Sequence, residues 1–184
     1  MPKFIFKKFD YMTLKYVLAF CFVSLLSNLS LSQTSELPSF NFQNYEFPKV
    51  IVVDIKGKEE KAIRDKTQSW IKSYFTDEQL IKSENSEGTL FVNAVSPNLL
   101  SIKNLSNDLK YTIKISFRNQ KYRLEIVQMS YKYYTEFIGI TPLNLKTDSA
   151  LKKDLVRSEP ILTSFFDEIN LNLYNSILSD IDEW

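Results

Sequence analysis

Two segments, Ser69-Trp70-Ile71-Lys72 and Ser149-Ala150-Leu151-Lys152, set a lysine three residues after a serine. On a helix that spacing lets the amine activate the hydroxyl as a nucleophile. Neither segment is accompanied by the Lys-Thr-Gly or Ser-Asp-Asn partners of such sites. A chain rich in serine and lysine produces this spacing by chance, and Trp70 and Ile71 read as core. Asp180, Asp182 and Glu183 offer the oxygen ligands that calcium favours. No glycine turn or distant glutamate completes a loop, so they read as a solvated acidic tail. Asp167 and Glu168 read as a solvated helix face. The chain has no histidine, the commonest general base and metal ligand, and one cysteine, Cys21. Its three glycines, at 57, 88 and 139, cannot build a phosphate cradle. No catalytic residue, metal site or cofactor is assigned.

The aromatic segment 131–138 offers a different chemistry. On one continuous strand, Tyr131, Tyr133 and Phe137 share a face and Tyr134 points the other way. Either the first set packs beneath helices, or the segment presents a face that binds something flat or apolar. These four residues are the candidate binding surface. Asp148-Ser149-Ala150 resembles the short O-glycosylation acceptor of exported Bacteroidetes proteins, which makes Ser149 a candidate modification site in a polar loop.

Residues 1–32 read as a cleavable signal peptide. Lys3, Lys7, Lys8 and Lys15 precede or flank an apolar run from Tyr16 to Leu26. The run is shorter than the roughly 20 apolar residues that a spanning helix needs. Ser30 and Ser32 are small residues at the −3 and −1 positions of a cut after Ser32. An uncleaved anchor is the alternative. Leu18-Ala19-Phe20-Cys21 is a poor lipoprotein box because Phe20 is bulky. After cleavage the chain has no cysteine, hence no disulfide or thiol nucleophile. Of the 23 basic and 22 acidic residues, the segment holds four lysines and one aspartate, leaving a net charge of −2. That argues against nucleic acid as a partner.

The remainder reads as an extended arm over 33–47 and a single domain over 48–184. The arm carries Phe40, Phe42, Tyr45 and Phe47 and either covers a sheet edge or is a disordered leader. Val50-Ile51-Val52-Val53 predicts a buried strand over 49–55. A helical stripe of Ile63, Thr67, Trp70, Ile71 and Tyr74 predicts a helix over 58–75. A strand is expected over 89–95, then a loop marked by Pro97 and the polar stretch 103–108. Tyr111 to Phe117 and Tyr122 to Val127 each alternate with period two around Asn119-Gln120. A two-residue turn there pairs Phe117 with Tyr122, Ile115 with Leu124 and Ile113 with Ile126, and sets Lys114 against Glu125 outside the core. A strand over 131–138 and a polar stretch over 139–160, with a short helix at 150–156, follow. A last amphipathic helix is expected to start at Pro160, with Leu162, Phe165, Phe166, Ile169, Leu173 and Ile177 forming its apolar face.

The order strand, helix, three or four strands, helix is thus set, opened by Phe47-Pro48-Lys49-Val50-Ile51-Val52-Val53-Asp54. It continues through Trp70-Ile71, Phe75 and the hairpin Tyr111-Thr112-Ile113-Lys114-Ile115 with Lys121-Tyr122-Arg123. Over residues 47–138 it resembles the exported Bacteroidetes proteins grouped as domain of unknown function 4468. Asn119-Gln120 stands where that family's pattern leads one to expect glycine. The resemblance implies a TBP-like fold and carries over no catalytic residue; a fold name does not make a function. The expected fold is α+β, a curved antiparallel sheet of four to five strands with two helices on one face. The expected function is a non-enzymatic binding module of the envelope, periplasmic or at the cell surface. Its partner would be an unknown protein or a small apolar ligand. Neither nucleic acid nor a membrane span in the mature chain is expected, and the oligomeric state is open. A hydrolase using Ser/Lys or carboxylate chemistry and a structural accessory of an envelope assembly are the alternatives. Intact-mass analysis of exported protein should find a chain beginning at Gln33; a retained Met1 or a lipid-modified Cys21 would contradict the assignment.

Overall fold

A computed structural model describes residues 37–86 and 88–179. The segment read as a signal peptide, with Cys21, the first residues of the arm and the acidic group at 180–183 lie outside the described residues. The elements are β1 (Lys49–Asp54), α1 (Glu60–Tyr74), β2 (Leu80–Ser86), β3 (Thr89–Ile102), β4 (Leu105–Arg118), β5 (Lys121–Tyr133), β6 (Glu136–Gly139), α2 (Pro142–Thr147) and α3 (Ser149–Leu178). The strands form one antiparallel sheet in the order β1-β5-β4-β3-β2, with β6 also paired to β5. The sheet has six strands, against the four to five expected.

The β4–β5 hairpin has the expected register: Phe117 faces Tyr122, Ile115 faces Leu124, Ile113 faces Ile126 and Lys114 faces Glu125. The turn works without glycine because Gln120 takes the left-handed conformation, at φ 61. Its neighbour Asn119 does a second job: its Oδ1 accepts the Glu60 N–H at the start of α1, 3.1 Å away. Gln120 donates its N–H to Lys58 O and accepts from Ile55 N–H, so the turn also fastens the β1–α1 connection. An asparagine caps a helix where glycine could not.

The inner face of the sheet buries Tyr111, Ile113, Ile115, Tyr122, Leu124 and Ile126. Over it lie α1, through Ile63, Thr67, Trp70 and Ile71, and α3, through a stripe from Leu151 to Ile177. Tyr122 donates its hydroxyl proton to Asn170 Oδ1 at 2.6 Å inside this layer, and burial pushes that hydroxyl well above the usual tyrosine range.

Four features depart from the expectations or were not among them. Residues 103–108 are not a loop: Lys103 and Asn104, both at positive φ, make a two-residue turn, and β4 starts at Leu105. Pro97 does not end β3 but sits in a bulge between Ser96 and Leu100. Pro160 does not open the last helix. That helix starts at Ser149, capped by Asp148 Oδ1 accepting from Leu151 N–H at 2.9 Å, and runs for 30 residues with Pro160 inside it. An interior proline costs about 3 kcal/mol. Burying Leu151 and Leu155 ahead of it returns about 1.5–3 kcal/mol each, enough to carry the helix through. The fourth is β2. Its sequence, Leu-Ile-Lys-Ser-Glu-Asn-Ser, is exposed beyond its first residue and lacks apolar alternation.

The described part of the arm packs into the core through its aromatic side chains. Phe40, Phe42 and Tyr45 are buried. Phe42 stacks on Phe166 at 5.5 Å, Phe40 meets the same ring edge-on, and Phe166 stands edge-on over Tyr111 of the sheet. Tyr45 donates to Leu155 O at 2.6 Å. Asp167, expected on a solvated face, accepts from Phe40 N–H at 2.9 Å and from the Ser39 hydroxyl. Phe42→Ala should therefore cost about 3–5 kcal/mol, like a core deletion, measured as a shift in urea midpoint at constant slope. A leader that merely precedes the domain would give no shift.

Candidate functional site

The outer face of the sheet carries no helix among the described residues. The register sets its side chains in rows across the strands. One row runs Val50, Glu125, Lys114, Phe91 and Glu84. The next runs Val52, Arg123, Ser116 and Thr89. A third joins Gln128, Thr112 and Asn93, with Thr112 donating to Asn93 Oδ1 at 2.7 Å. Val50, Val52 and Val127 are exposed on this face.

Glu125 faces Lys114 outside the core, as expected, yet it is itself buried, at 4 % exposure. Glu125 Oε1 lies 3.3 Å from Lys114 Nζ and 3.2 Å from Arg123 Nε, yet has no hydrogen-bond partner. It is a buried carboxylate held by two half-exposed cations. Such a group adds little net stability and leaves acceptor capacity unused.

The aromatic segment is folded on itself. Tyr134, at φ 54, turns the chain after β5, so Tyr133 pairs with Glu136 and Lys132 with Phe137. The continuous strand expected over 131–138 does not exist, because a two-residue turn forms without a turn-type sequence. Tyr131 is core, at 2 % exposure, and leaves the candidate surface. Tyr133 is half-buried, Tyr134 is 76 % exposed, and Phe137 points to the outer face beside Lys132, with Lys110 Nζ 5.5 Å from its ring.

Lys103, which sequence reasoning missed, ties this hairpin to the helices. Its Nζ lies 5.1 Å over the Tyr133 ring and 2.9 Å from Asp148 Oδ2. The Leu151 N–H, then Lys103, hold the Asp148 carboxyl below the usual carboxylate range. The bond to Asp148 raises Lys103 in turn. Ser149 follows Asp148 as the first residue of α3, exposed, and not in the loop expected for it. Lys103 thus links Tyr133, and through its ring Tyr134, to Asp148, the residue before Ser149, while Phe137 belongs to the sheet face.

Of the two serine–lysine pairs, Ser69 and Lys72 are exposed on α1. Ser149 and Lys152 are also exposed, and line a groove of about 600 Å3 between the arm and α2 and α3. Neither serine is hydrogen-bonded to its lysine. Among the described residues, no three acidic side chains gather as metal ligands, and no helix is long and apolar enough to cross a membrane.

Known proteins resemble this arrangement. A TBP-like protein from Parabacteroides distasonis ATCC 8503 superposes with a TM-score of 0.55 at 14% identity, over 70% of this chain and 90% of that one. A DUF4468 family protein from Bacteroides ovatus ATCC 8483 gives 0.49 at 12% identity, over 74% and 90%. The first likeness shows the fold alone. No curated protein matches the chain. The family model described as a domain of unknown function (DUF4468) with TBP-like fold matches residues 51–132, from the first strand almost to the end of β5.

Proposed function

We propose that the domain is a non-enzymatic binding module, exported to the periplasm or the cell surface, whose outer sheet face receives a protein partner. The export reading rests on the sequence of residues 1–32. The observation that carries the binding reading is the outer face itself. Exposed valines surround a buried glutamate whose Oε1 accepts no hydrogen bond, on a sheet whose other face holds the whole core. Apolar side chains around a fixed charge give a partner contact area and an orienting group at once. Phe137, and Tyr134 at the β5–β6 turn, extend the surface. A hydrolase is the second reading, because Ser149 and Lys152 share a groove; labelling of Ser149 by a fluorophosphonate would favour it.

The test is a photo-crosslinking residue in place of Val52, in protein exported by its host. A discrete adduct is expected. Adding Glu125→Met, which swaps a buried charge for an apolar side chain of similar size, should change stability by no more than about 1 kcal/mol, because Lys114 and Arg123 stay half-exposed to water, and should weaken the adduct at least about tenfold. Absence of an adduct, or an adduct indifferent to Glu125→Met, would overturn the reading.

A further inference from the structure

The groove between the arm and the two C-terminal helices lies apart from the outer sheet face, and its chemistry differs. One wall is the arm, at Gln43 to Glu46; the other is α2 with the first turns of α3. The apolar part of its lining is Tyr45, Pro142, Leu145 and Val156. The Tyr45 side chain is fixed, since its hydroxyl is bonded to Leu155 O. Val156 is 50 % exposed and lies off the buried stripe of Leu151, Leu155 and Ser158. The volume, about 600 Å3, lies within the range of small-molecule sites, roughly 300–1,000 Å3.

The charge of the groove is unbalanced. Lys146, in the last turn of α2, and Lys152, in the first turn of α3, both line it. Neither has an ion-pair partner among the described residues. The carboxylate between them in sequence, Asp148, is already engaged by Lys103 and by the Leu151 N–H. Glu46 is the one acidic side chain in the lining, and Lys49 shares its field. Ser149 adds an exposed hydroxyl beside the two lysines. An apolar floor beside two ammonium groups that lack ion-pair partners among the described residues is complementary to a molecule with an apolar body and an anionic end.

We infer that this groove binds a single-chain anionic amphiphile of the fatty-carboxylate class, its chain against Tyr45, Leu145 and Val156 and its carboxylate at Lys146 and Lys152. The inference stands independently of the outer-face reading, because it uses none of the same residues.

The test is calorimetric titration of the exported protein with dodecanoate below its micellar concentration. Dodecan-1-ol, acetate and vesicles of phosphatidylglycerol with phosphatidylcholine serve as comparison probes. Saturable binding of one dodecanoate per chain is expected, with dodecanol at least about tenfold weaker and acetate undetectable. The double variant Lys146→Gln/Lys152→Gln should lose about tenfold or more in affinity. Val156→Asp, which puts a carboxylate against the ligand chain, should abolish binding. All three positions are exposed, so the thermal midpoint of each variant should match the parent. Equal affinity in parent and double variant, equal binding of dodecanol, or binding to vesicles with none to dodecanoate would each overturn the assignment.

Discussion

The contact between Phe42 and Phe166 holds together three parts of the chain that are far apart in sequence. Phe166 lies on Tyr111 of the sheet, Phe42 lies on Phe166, and Phe40 closes the cluster from the side. A one-layer sheet must bury its apolar face under something. Here α1 and α3 cover it, and the arm's aromatics complete the layer beside α3. Asp167 then fixes the arm at Ser39 and Phe40, and Leu155 O fixes it at Tyr45. The arm therefore belongs to the domain energetically, although it lies outside the segment that carries the family's pattern.

Concentrating the core on one side decides what the other side can be. The outer face carries a mixture of valines, hydrogen-bonded polar pairs and charges, and the edge strand β2 is nearly all polar. A lysine–glutamate pair, Lys82 with Glu84, marks that edge, and charge there discourages pairing with stray strands. Against this background Glu125 is unusual. Burying a carboxylate at 4 % exposure brings no clear stability gain. The proposed role in orienting a partner would give that cost a purpose. The groove beside the arm makes a second and chemically distinct surface, apolar below and cationic at the rim.

Strong local alternation was legible. The β4–β5 register follows from side chains that repeat every second residue on both strands, because a one-residue slip would expose the apolar set of one strand. The stripe of α1 was legible for the same reason at helical spacing. Elements held by backbone pairing or by tertiary burial were not. β2 has no apolar pattern to read. Tyr134 and Lys103 turn the chain at positive φ without glycine, so the ends of β5 and β3 were displaced. Pro160 looked like a helix start, but Leu151 and Leu155 extend the same buried stripe ahead of it. Of the aromatic residues proposed as a surface, Tyr134 and Phe137 are exposed, Tyr133 is half-buried and Tyr131 is core. The fold in the strand explains that division. The groove left no signal, since its walls meet only after the arm packs against α3.

The central claim is that the arm is part of the cooperative core, which leaves the outer face of the sheet without a covering helix among the described residues. Native-state hydrogen exchange at the Phe40 amide, which donates to Asp167, tests it most directly. The account predicts protection approaching that of the central amides at Ile113 and Leu124, because opening the arm would uncover Phe166 and the sheet beneath it. Exchange of Phe40 at the rate of an unstructured peptide, while Ile113 and Leu124 stay protected, would contradict it.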